Sequence, residues 1–183
     1  VGKGGGTIAA LRDYAVDLAI MGRPPADLEV EASAFGEHPL VLIAPPDHPL
    51  ARRKRLSKTD LANEPFLVRE DGSGTRTVFE EFMAGIAVKR ARLGIESGSN
   101  ETIKQAVMAG LGIAFISAHT IEAEVESGRL CILDVVGTPI RRQWFAVSRA
   151  DRTRTPAMAA FGSFLSEKGA QFLPVTTSLY RQA

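Results

Sequence analysis

The most informative absences in this 183-residue chain are those of cysteine pairs and long apolar runs. The single cysteine, Cys131, excludes an internal disulfide and favours a reducing compartment. Its neighbours Leu130 and Ile132 are apolar, so we expect a buried and inert thiol. No apolar run approaches the roughly 20 residues that cross a bilayer, and no signal peptide is recognisable. These features predict a cytoplasmic protein with no membrane segment.

The groupings of side chains that form metal sites or catalytic triads are also missing. Metal binding needs clustered Cys, His or carboxylate ligands, and the three histidines, His38, His48 and His119, are scattered. A nucleophilic serine needs a base and an orienting acid. His38 and His48 stand beside prolines in turn-like contexts, and His119 falls in the first turn of a predicted helix. We therefore predict no catalytic residue, no metal and no cofactor.

There is no excess of positive charge, because 22 Lys and Arg face 21 Asp and Glu, a net charge of +1. A nucleic-acid-binding domain usually carries a clear basic excess, so we expect any DNA contact to be made outside this chain. The only dense basic cluster, Arg52–Arg55, is typical of a solvated turn, although contact with phosphates is the alternative.

What the chain does have is an alternation of strand-like and helix-like segments, which predicts an α/β fold with largely parallel sheets. Strands are predicted at 17–21, 40–44, 66–69, near Ile95, at 113–116, 130–135 and 143–148. Helices are predicted after Thr7, over 57–62, after Gly72–Thr75, after the cap Ser99, over 117–126, and from Thr155 with Pro156 at its first position. The last helix is expected to bury Met158, Phe161 and Leu165.

Several of these helices begin just after a strand, in short turns that contain Ser, Thr or Gly. The starts in question are Thr7, Ser73–Thr75, Ser99 and Ser117. Helix starts leave unpaired N–H groups that favour anions, and ligands of open α/β sheets bind beyond the carboxyl ends of strands. For any single turn, plain helix capping explains the serine or threonine equally well. Four cations nearby could match carboxylate or phosphate oxygens, with surface salt bridges as the alternative: Arg23, Arg69, Arg76 and Lys104.

Three motif interpretations fail at the level of single residues. Gly2–Thr7 lacks the Lys-Ser/Thr ending of a phosphate-binding loop, and Gly72-Ser73-Gly74 lacks the pattern of a nucleophile elbow. No dinucleotide-binding fingerprint is present.

A family resemblance is carried by Leu18–Ile20, by the run Pro39–Ala51, by Gly110–Ala114 after an amphipathic helix, and by the closing helix at Thr155-Pro156. Together they resemble the effector-binding domain of LysR-type transcriptional regulators over nearly the whole chain. Further stretches resemble those members that control Calvin-cycle RuBisCO operons. These stretches are 21–25, 69–76, 98–110, 116–120 and 142–145.

The resemblance implies two Rossmann-like lobes joined by two crossover strands, as in type 2 periplasmic-binding proteins. It places lobe I at 1–62 and 143–183 and lobe II at 63–142. It also implies that the first strand and helix of lobe I precede Val1, and that a winged helix-turn-helix earlier in the full protein contacts DNA. Self-association into dimers and tetramers is implied as well.

The implied ligand is an anionic metabolite such as a sugar phosphate, phosphoenolpyruvate or NADPH, bound between the lobes to control transcription of CO₂-fixation genes. The expected effector-binding residues are Met21, Gly22, Arg23, Arg69, Ser73, Thr75, Ser99, Asn100 and Ser117. Two alternatives remain open: a periplasmic solute-binding protein, which shares the two-lobed plan, and a phosphate-ester hydrolase that uses Ser73 or His119.

Overall fold

The structure is a computed structural model that describes residues 4–86 and 93–174. Residues 1–3 and the predicted lobe I residues 175–183 lie outside the described residues. In chain order the elements are α1 (Gly4–Arg12), β1 (Ala19–Met21), β2 (Val30–Ala44), α2 (Lys58–Leu61), β3 (Phe66–Arg69), α3 (Gly74–Phe82), β4 (Leu93–Ser97), α4 (Asn100–Met108), β5 (Ile113–Ser117), a 3₁₀ helix (Ala118–Thr120), α5 (Glu122–Glu126), β6 (Cys131–Ile132), β7 (Ile140–Arg149), α6 (Pro156–Lys168) and a second 3₁₀ helix (Gly169–Phe172).

Contacts divide the described chain into two units. Unit 1 comprises residues 4–38 and 142–173, and unit 2 comprises 39–86, 93–141 and Pro174. β2 passes from unit 1 into unit 2 at His38–Pro39, and β7 passes back at Arg141–Arg142. The two crossover strands implied by the family resemblance are therefore present.

Unit 2 is built on a mixed sheet. Its strands β4, β3 and β5 are parallel neighbours, whereas β2 pairs antiparallel with both β5 and β6. The expected parallel arrangement thus holds for the three strands joined through helices. It does not hold for the crossover strand β2.

Helices cover both faces of this sheet, which explains why its strands read as continuous apolar runs. Successive side chains alternate between the faces. Ile113 and Phe115 pack with Val78 and Phe79 of α3 in one core. The intervening residues of β5 pack in the second core, whose helical members are Ile103 and Val107 of α4 and Val125 of α5.

Unit 1 pairs β1 with β7 in antiparallel register, with Ala19 opposite Val147. A small core forms where Leu11 of α1 packs against these two residues. The closing helix α6 begins at the predicted cap, because Thr155 Oγ1 accepts a hydrogen bond from the Met158 backbone N–H at 3.2 Å. Met158 and Leu165 are buried as predicted, but Phe161 is 45% exposed, so its assignment to the buried face was wrong.

Three predicted elements differ from the structure. α1 begins at Gly4, so Thr7 lies inside the helix rather than capping it. The predicted helix 117–126 is interrupted at Ile121, which leaves helical geometry (φ −121°, ψ 3°) while its side chain is fully buried in the core of unit 2. Within the predicted strand 130–135, only Cys131–Ile132 forms a strand paired with β2, and Val135 makes a single parallel bridge with Leu56.

The division by contacts also differs from the predicted lobe limits at one end. The sequence placed a boundary at residue 62, whereas contacts place it at residue 38. The physical reason is that residues 40–43 pair with β5, and that Leu50, Leu56 and Leu61 share a core with Phe66. As limits of functional lobes, the predicted boundaries stay a prediction.

Candidate functional site

Three parallel strands of unit 2 end on the same side of their sheet. β3 ends at Arg69, β4 at Ser97 and β5 at Ser117, and Arg69 is in register with Ser97. A helix start follows each of them within a few residues. Open α/β sheets bind ligands beyond the carboxyl ends of their strands. We call the predicted residues gathered here the carboxyl edge: Arg69, Ser73, Thr75, Ser99, Asn100 and Ser117.

The serines of the carboxyl edge are used in different ways. Ser99 caps α4 as predicted, since its Oγ accepts a hydrogen bond from the Thr102 backbone N–H at 3.2 Å. Ser73 and Ser117 occupy the equivalent positions before α3 and the 3₁₀ helix, but neither side chain caps its helix. Both residues are buried, with 5% and 4% of their surface exposed. Capping therefore accounts for only one of the three hydroxyls.

Ser117 is the most unusual residue of the carboxyl edge. Its Oγ is buried and has no hydrogen-bond partner among the described residues. Its backbone carbonyl is satisfied, because it accepts a hydrogen bond from Thr120 Oγ1 at 2.8 Å. Leaving a buried hydroxyl unpaired costs about 1–3 kcal/mol, so such groups are rare without a functional reason. This hydroxyl is suited to donate to, or accept from, a bound polar group.

Arg69 ties the end of β3 to the start of α4. Its Nη1 donates to Asn100 Oδ1 at 2.6 Å. Its Nε and Nη2 donate to the two carboxylate oxygens of Glu70, at 2.8 and 3.0 Å. The Arg69 and Glu70 side chains are only 14% and 19% exposed, so this pair is poorly screened by solvent.

Arg76 and Lys104, the other two cations predicted near this edge, are also paired with carboxylates. Arg76 Nε donates to Glu80, and its Nη1 donates to the Arg69 carbonyl at 3.3 Å. It lies with Arg69 and Thr75 around a narrow crevice closed by Phe79 and Phe115.

Lys104 is 8% exposed, and its Nζ lies 2.9 Å from both Glu124 and Glu101. Burial lowers the pKa of Lys104, but these two hydrogen bonds outweigh it, so the net pKa is raised and the ammonium stays charged. Arg69, Arg76 and Lys104 are therefore each paired with a carboxylate.

The remaining predicted residues form their own group in unit 1. Met21 ends β1 opposite Phe145 and is half-buried. A Cβ on Gly22 would lie 2.8 Å from His38 Nδ1, so the ring of His38 leaves no room for a side chain there. Arg23 is exposed and has no ion-pair partner in the described part of the chain.

Sequence reasoning missed three residues in these two groups: His38 and Trp144 in unit 1 and Glu70 in unit 2. His38 was interpreted as a turn residue, but it lies in β2 and stacks on Trp144 with ring centroids 3.9 Å apart. The first half of β2 had not been recognised, so no signal placed His38 beside Gly22. Glu70 was overlooked because neighbouring residues on a strand normally point to opposite faces.

The family comparison agrees with the fold. The profile of the LysR substrate binding domain matches residues 1–170. The chain belongs to this LysR family. The structural class inferred from the resemblance, a two-part α/β domain with crossover strands, is confirmed with it.

Similar curated proteins are transcriptional regulators. The chain is 59% identical over 180 residues to the HTH-type transcriptional regulator CbbR of Sinorhizobium medicae, which covers 98% of the chain and 58% of that protein. It is 47% identical over 164 residues to the RuBisCO operon transcriptional regulator of Allochromatium vinosum, covering 90% of the chain and 54% of that protein. The chain thus spans little more than half the length of these LysR-type relatives.

Solved LysR-type regulatory domains share the fold. The regulatory domain of CcmR from Synechocystis PCC6803, solved in complex with 2-PG, is 32% identical with a TM-score of 0.78, over 92% of this chain and 80% of that one. The effector-binding domain of QuiR in complex with shikimate is 20% identical with a TM-score of 0.77, over 94% and 81% of the two chains. At that identity the QuiR comparison supports the fold alone.

Two absences hold within residues 4–86 and 93–174. No helix there is long and apolar enough to cross a membrane. No three His, Cys, Asp or Glu side chains there come together as a metal site would require.

Proposed function

We propose that this LysR-type domain is the sensor of a regulator that controls transcription of CO₂-fixation genes. Its ligand is a small anionic metabolite such as a sugar phosphate, phosphoenolpyruvate or NADPH. The support for the regulated genes is the 59% identity to CbbR over nearly the whole chain. The related CcmR domain was solved with 2-PG, which is consistent with a small ligand.

In this proposal the carboxyl edge binds the ligand from unit 2, and Met21, Gly22 and Arg23 bind it from unit 1. The observation that carries the proposal is the buried and unpaired hydroxyl of Ser117 beside helix starts that favour anions. The predicted lobes are lobe I, at 1–62 and 143–183, and lobe II, at 63–142. A ligand that contacts the lobes differently in two arrangements shifts the equilibrium between those arrangements.

The same proposal covers what the whole protein does. A winged helix-turn-helix elsewhere in the full-length protein contacts DNA, and the subunits form dimers and tetramers in the cytoplasm. In this proposal the chain performs no catalysis, because its sequence does not group a base and an orienting acid with a nucleophilic serine.

Calorimetry with phosphoenolpyruvate tests the assignment of Ser117. We expect saturable binding to the wild-type chain and about tenfold weaker binding to Ser117→Ala, which loses one hydrogen bond to a charged group. Ser117→Ala should unfold at an equal or higher temperature than wild type, because the substitution removes an unpaired buried hydroxyl. A variant that is destabilised, or that binds as tightly as wild type, contradicts the assignment.

Ser127→Ala is the matched control. It also removes a serine hydroxyl from unit 2, that of an exposed residue directly after α5, which donates to the Ala123 carbonyl at 2.7 Å. Its affinity for phosphoenolpyruvate should equal that of wild type. Release of inorganic phosphate during the titration would instead support the hydrolase alternative.

A further inference from the structure

Glu70 occupies the groups of Arg69 that an anionic ligand would use. Arginine recognises carboxylate and phosphate through two parallel N–H···O bonds. In the structure one such fork, formed by Nε and Nη2, is filled by both carboxylate oxygens of Glu70. The two side chains are largely buried, at 14% and 19% exposure. The protein therefore supplies its own anion at the predicted anion site.

The pairing depends on the point at which β3 ends. Adjacent strand residues point to opposite faces, so Arg69 and Glu70 could not pair this way inside a strand. β3 ends at Arg69, and Glu70 opens the turn that leads to Ser73, in which Gly72 has a φ of +76°. Glu70 lies outside the strand ladder, and its carbonyl accepts a hydrogen bond from the Ser73 N–H at 3.1 Å. A change in the rotamer of its side chain would therefore move the carboxylate without breaking a strand pairing.

Asn100 holds Arg69 from the other side. Its Oδ1 accepts a hydrogen bond from Arg69 Nη1 at 2.6 Å, and Asn100 is the first residue of α4. The guanidinium thus stays anchored between β3 and α4 when its bonds to Glu70 are broken. When the Glu70 carboxylate moves away, Nε and Nη2 of Arg69 are available to donate two hydrogen bonds to an anion at the carboxyl edge.

We propose that Glu70 is an internal competitor for the effector's anionic group. It neutralises Arg69 in the unliganded domain and releases it when a phosphate or carboxylate binds at the carboxyl edge. Glu70 is a positioning residue that sets the effector concentration at which the sensor responds. This inference rests on the proposed function, because it assigns a regulatory role at the same site.

Glu70→Gln tests the competition directly, with phosphoenolpyruvate as the calorimetric probe. The amide keeps the size of the side chain but loses its charge, so Arg69 is no longer neutralised. We expect about tenfold tighter binding than wild type, the typical value of one charged hydrogen bond. In an Arg69→Met background the same substitution should give no gain. A purely structural role of Glu70 predicts weaker binding and no dependence on Arg69.

Two further variants keep the outcome interpretable. Glu70→Asp retains the charge on a shorter side chain that cannot reach both nitrogens of Arg69. It should raise the affinity for phosphoenolpyruvate above that of wild type, but by less than Glu70→Gln. This variant still tests the competition if Glu70→Gln folds poorly. Glu31→Gln is the matched control, because it removes a carboxylate paired with Arg154 in unit 1. It should leave the affinity unchanged.

The results separate this inference from the proposed function. If the wild-type chain and all variants fail to bind phosphoenolpyruvate, both the proposed ligand class and the competition are wrong. If wild type binds and Glu70→Gln binds equally or more weakly, the competition is wrong and the proposed function stands. A gain that persists without Arg69 also overturns the inference.

Discussion

At the scale of single residues, Cys131 shows how partial burial affects reactivity, since its side chain is half-buried rather than fully buried as expected. Its Sγ lies 3.4 Å from the Ala44 carbonyl, and burial raises the pKa of the thiol. We predict that iodoacetamide labels Cys131 much more slowly in the folded chain than in urea between pH 7 and 9, because the thiolate is disfavoured and shielded. Mass spectrometry of timed samples measures this. Equal rates in the two states would show that the thiol is not protected.

At the carboxyl edge, the sequence predicted a helix cap correctly but did not predict which side chains form hydrogen bonds and ion pairs with each other. Ser99 is recognisable as a cap from its position before an amphipathic helix, and the structure confirms it. The unpaired hydroxyl of Ser117 has no counterpart in sequence, because it depends on what packs around the end of β5. The contact between Arg69 and Glu70 was equally hidden, since it depends on where β3 stops.

At the scale of elements, two glycines before β5 make a testable pair. Gly112 has a φ of +151°, and a Cβ there would lie 2.3 Å from the Pro65 carbonyl oxygen, next to the point where Ile113 N–H donates to that oxygen. Gly110 has a φ of +78°, and open space surrounds its missing Cβ.

We predict that Gly112→Ala destabilises the chain by about 3 kcal/mol, through both strain and the clash with backbone. Gly110→Ala should cost only about 1 kcal/mol, because it adds strain without a clash. Urea unfolding of the two variants and wild type measures the difference. Equal costs would mean that the close approach of Gly112 to Pro65 is not required for the β3–β5 pairing.

Elements with a strong pattern were predictable, and those set by tertiary packing were not. β3 and α6 begin at the predicted residues, because an apolar run and a Thr-Pro cap mark them clearly. The first half of β2 was missed because it is largely exposed and mixes small, charged and aromatic residues. The break at Ile121 follows from its burial in the core rather than from local propensity.

At the scale of the whole molecule, the family and its two-part organisation could be inferred from sequence. Which apolar side chains remain exposed at the surface could not. Helical spacing assigned Phe161 to the core, but it is 45% exposed and stacks on Phe164, which in turn contacts Phe172. Spacing identifies an apolar face without saying what covers it.

The central claim is that a small anion binds at the carboxyl edge. The most direct measurement is a two-dimensional ¹H–¹⁵N titration of the chain with phosphoenolpyruvate. The account predicts saturable shifts of the backbone amides that follow Ser73, Ser99 and Ser117, all fitted by one dissociation constant. Absence of shifts at saturating ligand, or shifts confined to residues outside unit 2, would contradict it.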